Sequence, residues 1–185
     1  QDKWEIELKN KKIFNAKILI NASGPWINKV INEVLKIPSK NSIRLVKGSH
    51  IIINKLHNYN VAFTLQNYDK RIVFVIPYKN KFSLIGTTEV EVDYPDNPKI
   101  ENHEIEYLIT CVNNYFQKKI SKSDIIDTYS GIRPLIEDFK EASKVTRDYV
   151  FDLDCNKNLS PLLNIFGGKL TTYRKLAEQA MGDLN

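Results

Sequence analysis

Four short segments of the sequence combine glycine with residues that can bind an anion or transfer a proton. They are residues 22–25, 47–50, 130–134 and 166–174, which read ASGP, KGSH, SGIRP and FGGKLTTYR. Glycine allows a backbone to come close to a ligand, while lysine, arginine and histidine supply positive charge or a titratable imidazole. The candidate chemistry of this 185-residue chain is therefore concentrated in turns.

The last of these segments has the composition of an anion site at a helix N-terminus. A predicted strand runs through a double glycine directly into a predicted helix, and Lys169 follows the glycines. Free backbone N–H groups and the positive end of the helix dipole attract an anion, and the lysine adds a full charge. Thr171 and Thr172 can cap the helix or bond to a ligand. A capped helix start without a ligand is the alternative, although it needs no lysine there.

The other three segments each allow a functional and a structural interpretation. Residues 22–25 follow a predicted buried strand, where the ligands of α/β sheets gather, but they could also form only a tight turn. Lys47 and His50 together could bind an anion or move a proton, although a lone histidine is more often structural. Arg133 could clamp a carboxylate or phosphate, or it could satisfy carbonyl groups at a strand end.

The composition indicates a folded domain and gives little support to a nucleic-acid partner. Hydrophobic residues make up 42% of the chain and charged residues 26%, which excludes the disordered and collagen-like classes. The net charge is +5, but the lysines are scattered and form no block of like charge. Because lysine is the default cation, the five arginines suggest places that need a planar, permanently charged group.

Neither the histidines nor the cysteines have the spacing of a metal site. The three histidines and two cysteines are widely separated along the chain: His50, His57, His103, Cys111 and Cys155. Without a CxxC pair or a histidine pair at ligand spacing, we predict no metal centre. No apolar run approaches the roughly 18 residues that a transmembrane helix requires.

Hydrophobic periodicity predicts an antiparallel sheet inserted between two parts of an α/β layer. Strands are predicted at residues 4–9 and 16–22, the second buried on both faces, and a helix follows Pro25. Further along, the pattern predicts strands at 43–54, 61–66, 71–77 and 82–88, a helix near 105–116, strands at 125–132, 145–151 and 162–166, and a final helix. The expected fold class is mixed α/β (α+β): a mostly antiparallel sheet is inserted in part of an α/β layer.

Five longer segments, in this order, resemble the FAD-dependent glycerol-3-phosphate dehydrogenases, which are membrane-associated, quinone-linked flavoenzymes. The segments are INASGPW, IRLVKGSH, DKRIVFVIPY with IGTTE, SGIRPL and FGGKLTTYR. The resemblance runs from about residue 18 to the final helix. It implies a glutathione-reductase-like and amino-acid-oxidase-like fold, with residues 1–42 and 155–185 in an FAD-binding lobe and residues 43–154 in a substrate-binding lobe.

The resemblance also implies which residues bind FAD. Two segments match the parts of the family that lie against the cofactor, namely Ala22, Ser23, Gly24, Pro25 and Trp26, and Gly167, Gly168, Lys169, Leu170 and Thr171. Ser23 replaces the threonine that is common in the family but keeps the hydroxyl group. The helix dipole of the second segment would stabilise the negative charge of a reduced flavin.

By the same resemblance, sn-glycerol 3-phosphate is the substrate and dihydroxyacetone phosphate the product. The residues that match the family's substrate site are His50, Arg71, Arg133 and Lys169, with Thr88 and, at the same turn, Thr87 as further lining residues. Arginine and lysine together suit a phosphate dianion. His50 is the first candidate for the base that takes the C2 hydroxyl proton, while Arg133 orients the oxygen. The hydride would pass to flavin N5.

The resemblance leaves the electron acceptor and the state of the chain open. Quinone is the expected acceptor, and the alternatives are an oxidase that uses oxygen or a noncatalytic fragment of a split gene that binds a phosphate ester or a partner. The chain begins after the family's glycine-rich FAD fingerprint, so we expect the isolated chain to bind FAD weakly and to be inactive. The expected location is cytoplasmic, or peripheral on the cytoplasmic face of the inner membrane, and a homodimer is compatible with the family.

Overall fold

The computed structural model describes residues 3–137, 149–154 and 160–184. The chain divides into two compact units. We call Leu45–Arg133 the central unit, and we call Gln1–Arg44 together with Pro134–Asn185 the split unit. Within the described ranges, no helix is both long enough and apolar enough to cross a membrane. Cys155 and residues 145–148 of a predicted strand lie outside the described residues.

Eleven strands and three α-helices are present in the described part of the chain. The strands are β1 (Trp4–Glu7), β2 (Ile13–Ala16), β3 (Leu19–Asn21), β4 (Ile43–Asn54), β5 (Phe63–Gln66), β6 (Ile72–Tyr78), β7 (Phe82–Gly86), β8 (Val90–Val92), β9 (Ile125–Ile136), β10 (Tyr149–Asp154) and β11 (Leu162–Gly167). The α-helices are α1 (Ile27–Lys29), which continues as a π-helix (Val30–Leu35), α2 (Asn102–Tyr115) and α3 (Tyr173–Asp183).

The central unit is built on an antiparallel sheet in which β4 is the strand with most partners. The order is β5-β6-β7-β4-β8, and β9 also pairs with β4. Strand β7 pairs with residues 50–54 of β4, and β8 pairs with residues 45–47. Residues 87–89 lie between these two partner strands, so the ladder along β4 is interrupted beside Gly48 and Ser49.

One face of this sheet forms the hydrophobic core of the central unit. In β6, Val73 and Val75 are fully buried while Ile72 and Phe74 are exposed, as strand alternation requires. The buried face packs against one stripe of α2, and the cluster includes Ile51, Ile53, Leu65, Val73, Val75, Ile85, Leu108, Cys111 and Val112. Each such side chain contributes about 1.5–3 kcal/mol on burial. The predicted α2 helix and the antiparallel character of the sheet are confirmed.

The split unit contains a three-stranded sheet of order β10-β11-β3 and a separate β1-β2 hairpin. Strand β11 is antiparallel to β10 and parallel to β3. Helix α3 packs on β11, with Leu163, Ile165 and Ala180 buried in one cluster. The parallel pair of strands is the element of an α/β layer that the sequence predicts.

Two expectations differ from the structure. The predicted strand 16–22 is divided into β2 and β3, because the chain changes partner from β1 to β11 between them. It is not buried on both faces, since Ile18 is 36% exposed and Ile20 43%. The expected substrate lobe extends to residue 154, whereas the pairing of β10 with β11 keeps Tyr149–Asp154 in the split unit. The binding role of each unit stays a prediction.

Candidate functional site

The two segments that we expect to bind FAD leave the same edge of the split unit's sheet. Strands β3 and β11 are parallel, and Asn21 lies opposite Asn164 in their register. Residues 22–26 follow the carboxyl end of β3, and residues 167–171 begin at the last residue of β11. Ligands of α/β sheets bind outside the carboxyl ends of neighbouring strands. The local fold therefore brings these segments to one edge that suits a cofactor.

A buried pair of asparagines holds this edge together. Asn21 Nδ2 donates to Asn164 Oδ1 at 2.9 Å, and Ser23 Oγ donates to Asn21 Oδ1 at 2.6 Å. Asn21 and Asn164 are 5% and 3% exposed, so their amides depend on each other for hydrogen bonds. The hydroxyl of Ser23 therefore orders the turn after β3. The sequence gives no sign of this pair, because each asparagine lies within an apolar strand and the two are 143 residues apart.

The surface next to this edge is open and apolar. Gly24 has φ +56°, and an added Cβ there would meet no atom within 4 Å. Trp26 is 41% exposed, Leu170 89% and Tyr173 68%. Open apolar surface beside a positive-φ glycine fits a planar ring system whose edge approaches the backbone. The residues present therefore fit the isoalloxazine of FAD.

The segment around Lys169 enters its helix less directly than the sequence predicts. A 3₁₀ turn (Leu170–Thr172) precedes α3, and the Lys169 carbonyl accepts hydrogen bonds from the Thr172 N–H at 3.0 Å and from Thr172 Oγ1 at 3.2 Å. Gly168 has φ +98°, and a Cβ there would lie 3.1 Å from Leu176 Cδ1, so glycine is required. Lys169 and Thr171 are exposed.

In the central unit, His50 lies over a glycine and against a tyrosine ring. Gly86 pairs with His50 on one side and with Phe74 on the other, so the three residues form one row across the sheet. A Cβ on Gly86 would lie 2.3 Å from His50 Cδ2. The His50 and Tyr129 rings stack with centroids 4.7 Å apart and planes at 7°. The imidazole therefore has a defined position.

His50 is neutral at physiological pH. Burial, followed by the positive charge of Arg133, lowers the pKa of His50 to about 4. Its Nδ1 atom is buried and makes no hydrogen bond within the described part of the protein. A neutral imidazole in this position can accept a proton from a ligand.

Arg133 is held beside the histidine by the turn after β7. Its Nη2 donates to Thr87 Oγ1 at 2.7 Å, and its Nη1 lies 3.9 Å from Glu89 Oε1. A Cβ on Gly48 would lie 2.5 Å from Arg133 Nη2, so this position must be glycine for the guanidinium to lie there. The Arg133 side chain is 26% exposed, which leaves it accessible to an anion.

Arg71 lies in a separate ion pair. Its Nη2 and Nε contact Asp69 Oδ2 at 2.5 Å and 2.7 Å, and its guanidinium lies 4.1 Å from the centre of the Tyr107 ring. Burial opposes its charge, but Asp69, Tyr107 and Glu89 outweigh that effect and raise the pKa of Arg71. Arg71 would therefore share its guanidinium between Asp69 and any phosphate.

The cation of the KGSH segment has a different role from the one suggested by its composition. Lys47 Nζ contacts Glu101 Oε1 at 2.8 Å, Glu104 Oε2 at 3.0 Å and the Lys99 carbonyl at 2.9 Å. The Lys47 side chain is 4% exposed. Burial opposes the charge, but the bonds to Glu101 and Glu104 raise the pKa of Lys47. It therefore neutralises these carboxylates and does not bind an anion.

Glu104 is the centre of a buried polar network that sequence reasoning missed. It is 1% exposed and accepts hydrogen bonds from Thr88 Oγ1 at 2.6 Å and from Ser49 Oγ at 2.9 Å. Burial opposes its ionisation, but the hydrogen bonds from Thr88, the Glu101 N–H, Lys47 and Ser49 lower the pKa of Glu104. In the sequence, the only sign of this role is an acidic residue on the side of the α2 helix that faces the sheet.

This network gives Thr88 a buried structural contact, and the substrate-lining role expected for it stays a prediction. Thr88 is 1% exposed, and its hydroxyl both donates to Glu104 and accepts from the Ser49 N–H at 2.9 Å. Its neighbour Thr87 is the residue whose hydroxyl meets Arg133. The structure thus brings together His50, Arg133 and Thr87, while Lys169 lies in the split unit and Arg71 is paired with Asp69.

Metal chemistry has no candidate cluster in residues 3–137, 149–154 and 160–184, where no three His, Cys, Asp or Glu side chains could hold an ion. Cys111 is a free, buried thiol. Burial raises its pKa, so the thiol stays protonated and packs as an apolar core residue.

Comparison with known sequences supports the interpretation from the motifs. The model of the family "FAD dependent oxidoreductase" matches residues 1–174. The aerobic glycerol-3-phosphate dehydrogenase of Escherichia coli K12 is 47% identical over 97% of this chain and 36% of its own length. The D-erythritol 1-phosphate dehydrogenase of Brucella abortus is 44% identical over 96% of this chain and 37% of its own length.

A solved structure is similar to the chain as well. The glycerol-3-phosphate dehydrogenase from Bacillus halodurans, complexed with FAD, matches with a TM-score of 0.75 and 26% identity over 94% of this chain and 33% of that one. The chain therefore spans about a third of the length of the relatives it matches. The expected resemblance and the mixed α/β fold are confirmed.

We expect Gly86→Ala to displace the His50 ring, because the new Cβ would overlap it. Overpacking of this kind costs about 1–3 kcal/mol of unfolding free energy, which denaturant titration of the intact protein measures. NMR should show the pKa of His50 rising from about 4, since the ring leaves its buried place near Arg133. Gly131→Ala is the matched control, because a Cβ there meets nothing within 4 Å. An unchanged His50 titration in Gly86→Ala would contradict the described packing.

We expect Glu104→Gln to lower the free energy of unfolding by about 1–3 kcal/mol at neutral pH, because Lys47 would lose its buried counter-charge but keep its ion pair with Glu101. The folded pKa of Glu104 is lowered, so its contribution is present above its unfolded pKa of about 4.3 and is lost as pH falls through the folded pKa. The difference between wild type and variant should therefore shrink below about pH 4. Glu106→Gln, at an exposed position of α2, is the control. A difference that is independent of pH would refute the ionised pair.

Proposed function

Because the chain belongs to the FAD dependent oxidoreductase family, we propose that the intact protein oxidises the secondary alcohol of a short polyol phosphate. The proposed substrate is sn-glycerol 3-phosphate and the product is dihydroxyacetone phosphate, in line with the name of the 47% identical relative from Escherichia coli. The observation that carries the proposal is a neutral histidine beside an arginine in the central unit. This pair suits removal of a hydroxyl proton.

Oxidation of the alcohol to a ketone removes one proton from the hydroxyl oxygen and one hydride from C2. His50 accepts the proton, since its imidazole is neutral and its position is defined by Tyr129 and Gly86. Arg133 donates to the same oxygen and stabilises the negative charge that develops on it. When FAD is bound, its isoalloxazine supplies the acceptor for the hydride. Thr87 keeps the guanidinium of Arg133 in one orientation.

The phosphate group needs further positive charge. We propose that Arg71 of the central unit supplies it, as its place in the motifs suggests, while the role of Lys169 in the split unit stays a prediction from the family resemblance. Arg71 already has an oriented guanidinium, because Asp69 and Tyr107 hold it on two sides. A phosphate would add to the contacts of Arg71 without requiring a new side-chain conformation.

The cofactor-binding residues are proposed from the edge of the split unit. Residues 22–26, at the end of β3, leave Trp26 exposed. Residues 167–171, at the end of β11, present backbone N–H groups and the start of a helical segment. Such groups favour negative charge on a bound reduced flavin.

The acceptor and location are part of the same proposal. We propose quinone as the electron acceptor, with oxygen as the alternative, and a location that is cytoplasmic or peripheral on the cytoplasmic face of the inner membrane. A homodimer is the proposed assembly. These features rest on the family resemblance of the five segments and on the word "aerobic" in the name of the relative from Escherichia coli.

A second candidate substrate is D-erythritol 1-phosphate. It is favoured by the 44% identity to the D-erythritol 1-phosphate dehydrogenase of Brucella abortus, which nearly equals the identity to the glycerol-3-phosphate enzyme. Both compounds are polyol phosphates with a secondary hydroxyl, so the same histidine and arginine would serve either. They differ in length by one hydroxymethylene unit.

We expect the intact protein to oxidise sn-glycerol 3-phosphate with a higher kcat/KM than D-erythritol 1-phosphate, and glycerol only very slowly. Steady-state assays with an electron-accepting dye measure all three. Arg71→Ala should lower the ratio of kcat/KM for sn-glycerol 3-phosphate to kcat/KM for glycerol by about tenfold or more, as expected for the loss of a charge-assisted hydrogen bond. Arg174→Ala is the control, because that arginine is 81% exposed and pairs with Glu178. Preference for the erythritol ester would assign the second candidate, and equal use of glycerol would refute phosphate recognition.

We expect the kcat/KM of the wild type to show an acidic limb near pH 4, where protonation of His50 removes the base, below the separate fall at about pH 6 caused by protonation of the substrate phosphate. His50→Gln should lower kcat by about 10²–10⁴-fold and abolish this acidic limb. The pH profile of the dye-linked reaction provides the measurement. His103→Gln, at a side chain that is 62% exposed, should leave the profile unchanged. A limb near pH 4 that persists in His50→Gln would assign the base to another residue.

A further inference from the structure

We propose that Glu104 is a positioning residue of the active site: it touches no substrate, but it sets the places of His50 and Arg133 by joining the three chain segments that carry their contacts. The inference rests on the proposed function, because it assigns a purpose to a network next to the candidate catalytic pair. It concerns the central unit alone, within which all of these residues lie.

The carboxylate of Glu104 is bonded to side chains of two other elements, and one of these side chains links it to a third element. Ser49 Oγ donates from β4 at 2.9 Å, and Thr88 Oγ1 donates from the turn after β7 at 2.6 Å. Lys47 Nζ, also on β4, lies at 3.0 Å and balances the charge. Ser49 Oγ is in turn 2.8 Å from Ser130 Oγ on β9. One buried side chain thus connects β4, the turn and β9.

Each connected residue is the neighbour of a residue at the candidate site. Ser49 precedes His50, Thr88 follows Thr87, and Ser130 follows Tyr129, whose ring stacks on His50. Successive side chains of a strand point to opposite faces of the sheet. The network therefore holds β4 and β9 from the face that α2 covers, while His50 and Tyr129 project from the other face.

Helix α2 fixes the position of Glu104 itself. The Glu101 N–H donates to Glu104 Oε2 at 2.8 Å, which closes a capping box at the start of the helix. The carboxylate consequently has little freedom to follow a displaced strand. A rigid support of this kind is what a catalytic pair needs, since a misplacement of about 1 Å can cost about 10²-fold in rate.

A purely structural role makes a different prediction from a positioning role. Replacing a buried ion pair by apolar residues of similar size is often neutral for stability or better. The double variant Lys47→Met/Glu104→Met therefore should recover most of the stability that Glu104→Gln loses. It cannot restore the hydrogen bonds to Ser49 and Thr88, so the site should remain misplaced.

The test compares wild type, Glu104→Gln, the double variant and the control Glu106→Gln in the intact, FAD-loaded protein. We expect the melting temperature of the double variant to approach that of the wild type while its kcat stays at least about tenfold lower. The His50 titration, followed by NMR without substrate, should move from about 4 toward the ordinary value of about 6.5 in the double variant. Recovery of kcat and of the His50 titration together with stability would overturn the proposal.

The NMR measurement separates this inference from the proposed function. If the wild type oxidised no polyol phosphate, the proposed function would fail, while a shifted His50 titration would still support positioning by Glu104. Should the double variant fail to fold, Ser49→Ala removes the links to Glu104 and Ser130 with a smaller change. Ser49→Ala should also lower kcat and raise the pKa of His50. A folded Ser49→Ala protein with wild-type kinetics and His50 titration would overturn the proposal.

Discussion

A buried charge must be paired, and this constraint organises the central unit. Lys47 and Glu104 are 3% and 1% exposed, so Glu104 depends on Lys47 for a counter-charge, while Lys47 pairs with both Glu104 and Glu101. The carboxylate of Glu104 has more acceptor sites than one lysine can fill, and Ser49, Thr88 and the Glu101 N–H also donate to it. The ion pair therefore also acts as a joint between the strand that carries His50 and the turn that carries Thr87.

In the split unit, strand direction has the corresponding organising effect. Because β3 and β11 run parallel, the turns after both strands begin at one edge of the sheet. The asparagine pair stabilises this edge, since Asn21 Nδ2 donates to Asn164 Oδ1 and Asn21 Oδ1 accepts from Ser23 Oγ. Each unit thus has a buried polar contact beside its candidate site residues.

Much of the fold and several site residues could be predicted from the sequence, because glycine turns and strand alternation are local signals. Gly48 and Gly86 leave room for Arg133 and His50, and the motifs contain all four residues. The role of Lys47 could not be predicted, because its partner Glu104 is distant in sequence and the pairing is visible only after β4 and α2 pack. Local composition shows that a charge exists, but only tertiary contacts show what neutralises it.

Reduction of bound FAD by substrate tests the central claim most directly. The intact, FAD-loaded protein would be mixed without oxygen with sn-glycerol 3-phosphate carrying either hydrogen or deuterium at C2, and the visible absorption of the flavin would be followed. The account predicts loss of the flavin band, more slowly with deuterium, because the C2–H bond breaks in the step that His50 and Arg133 promote. A flavin that stays oxidised with this substrate, although dithionite reduces it, would contradict the account.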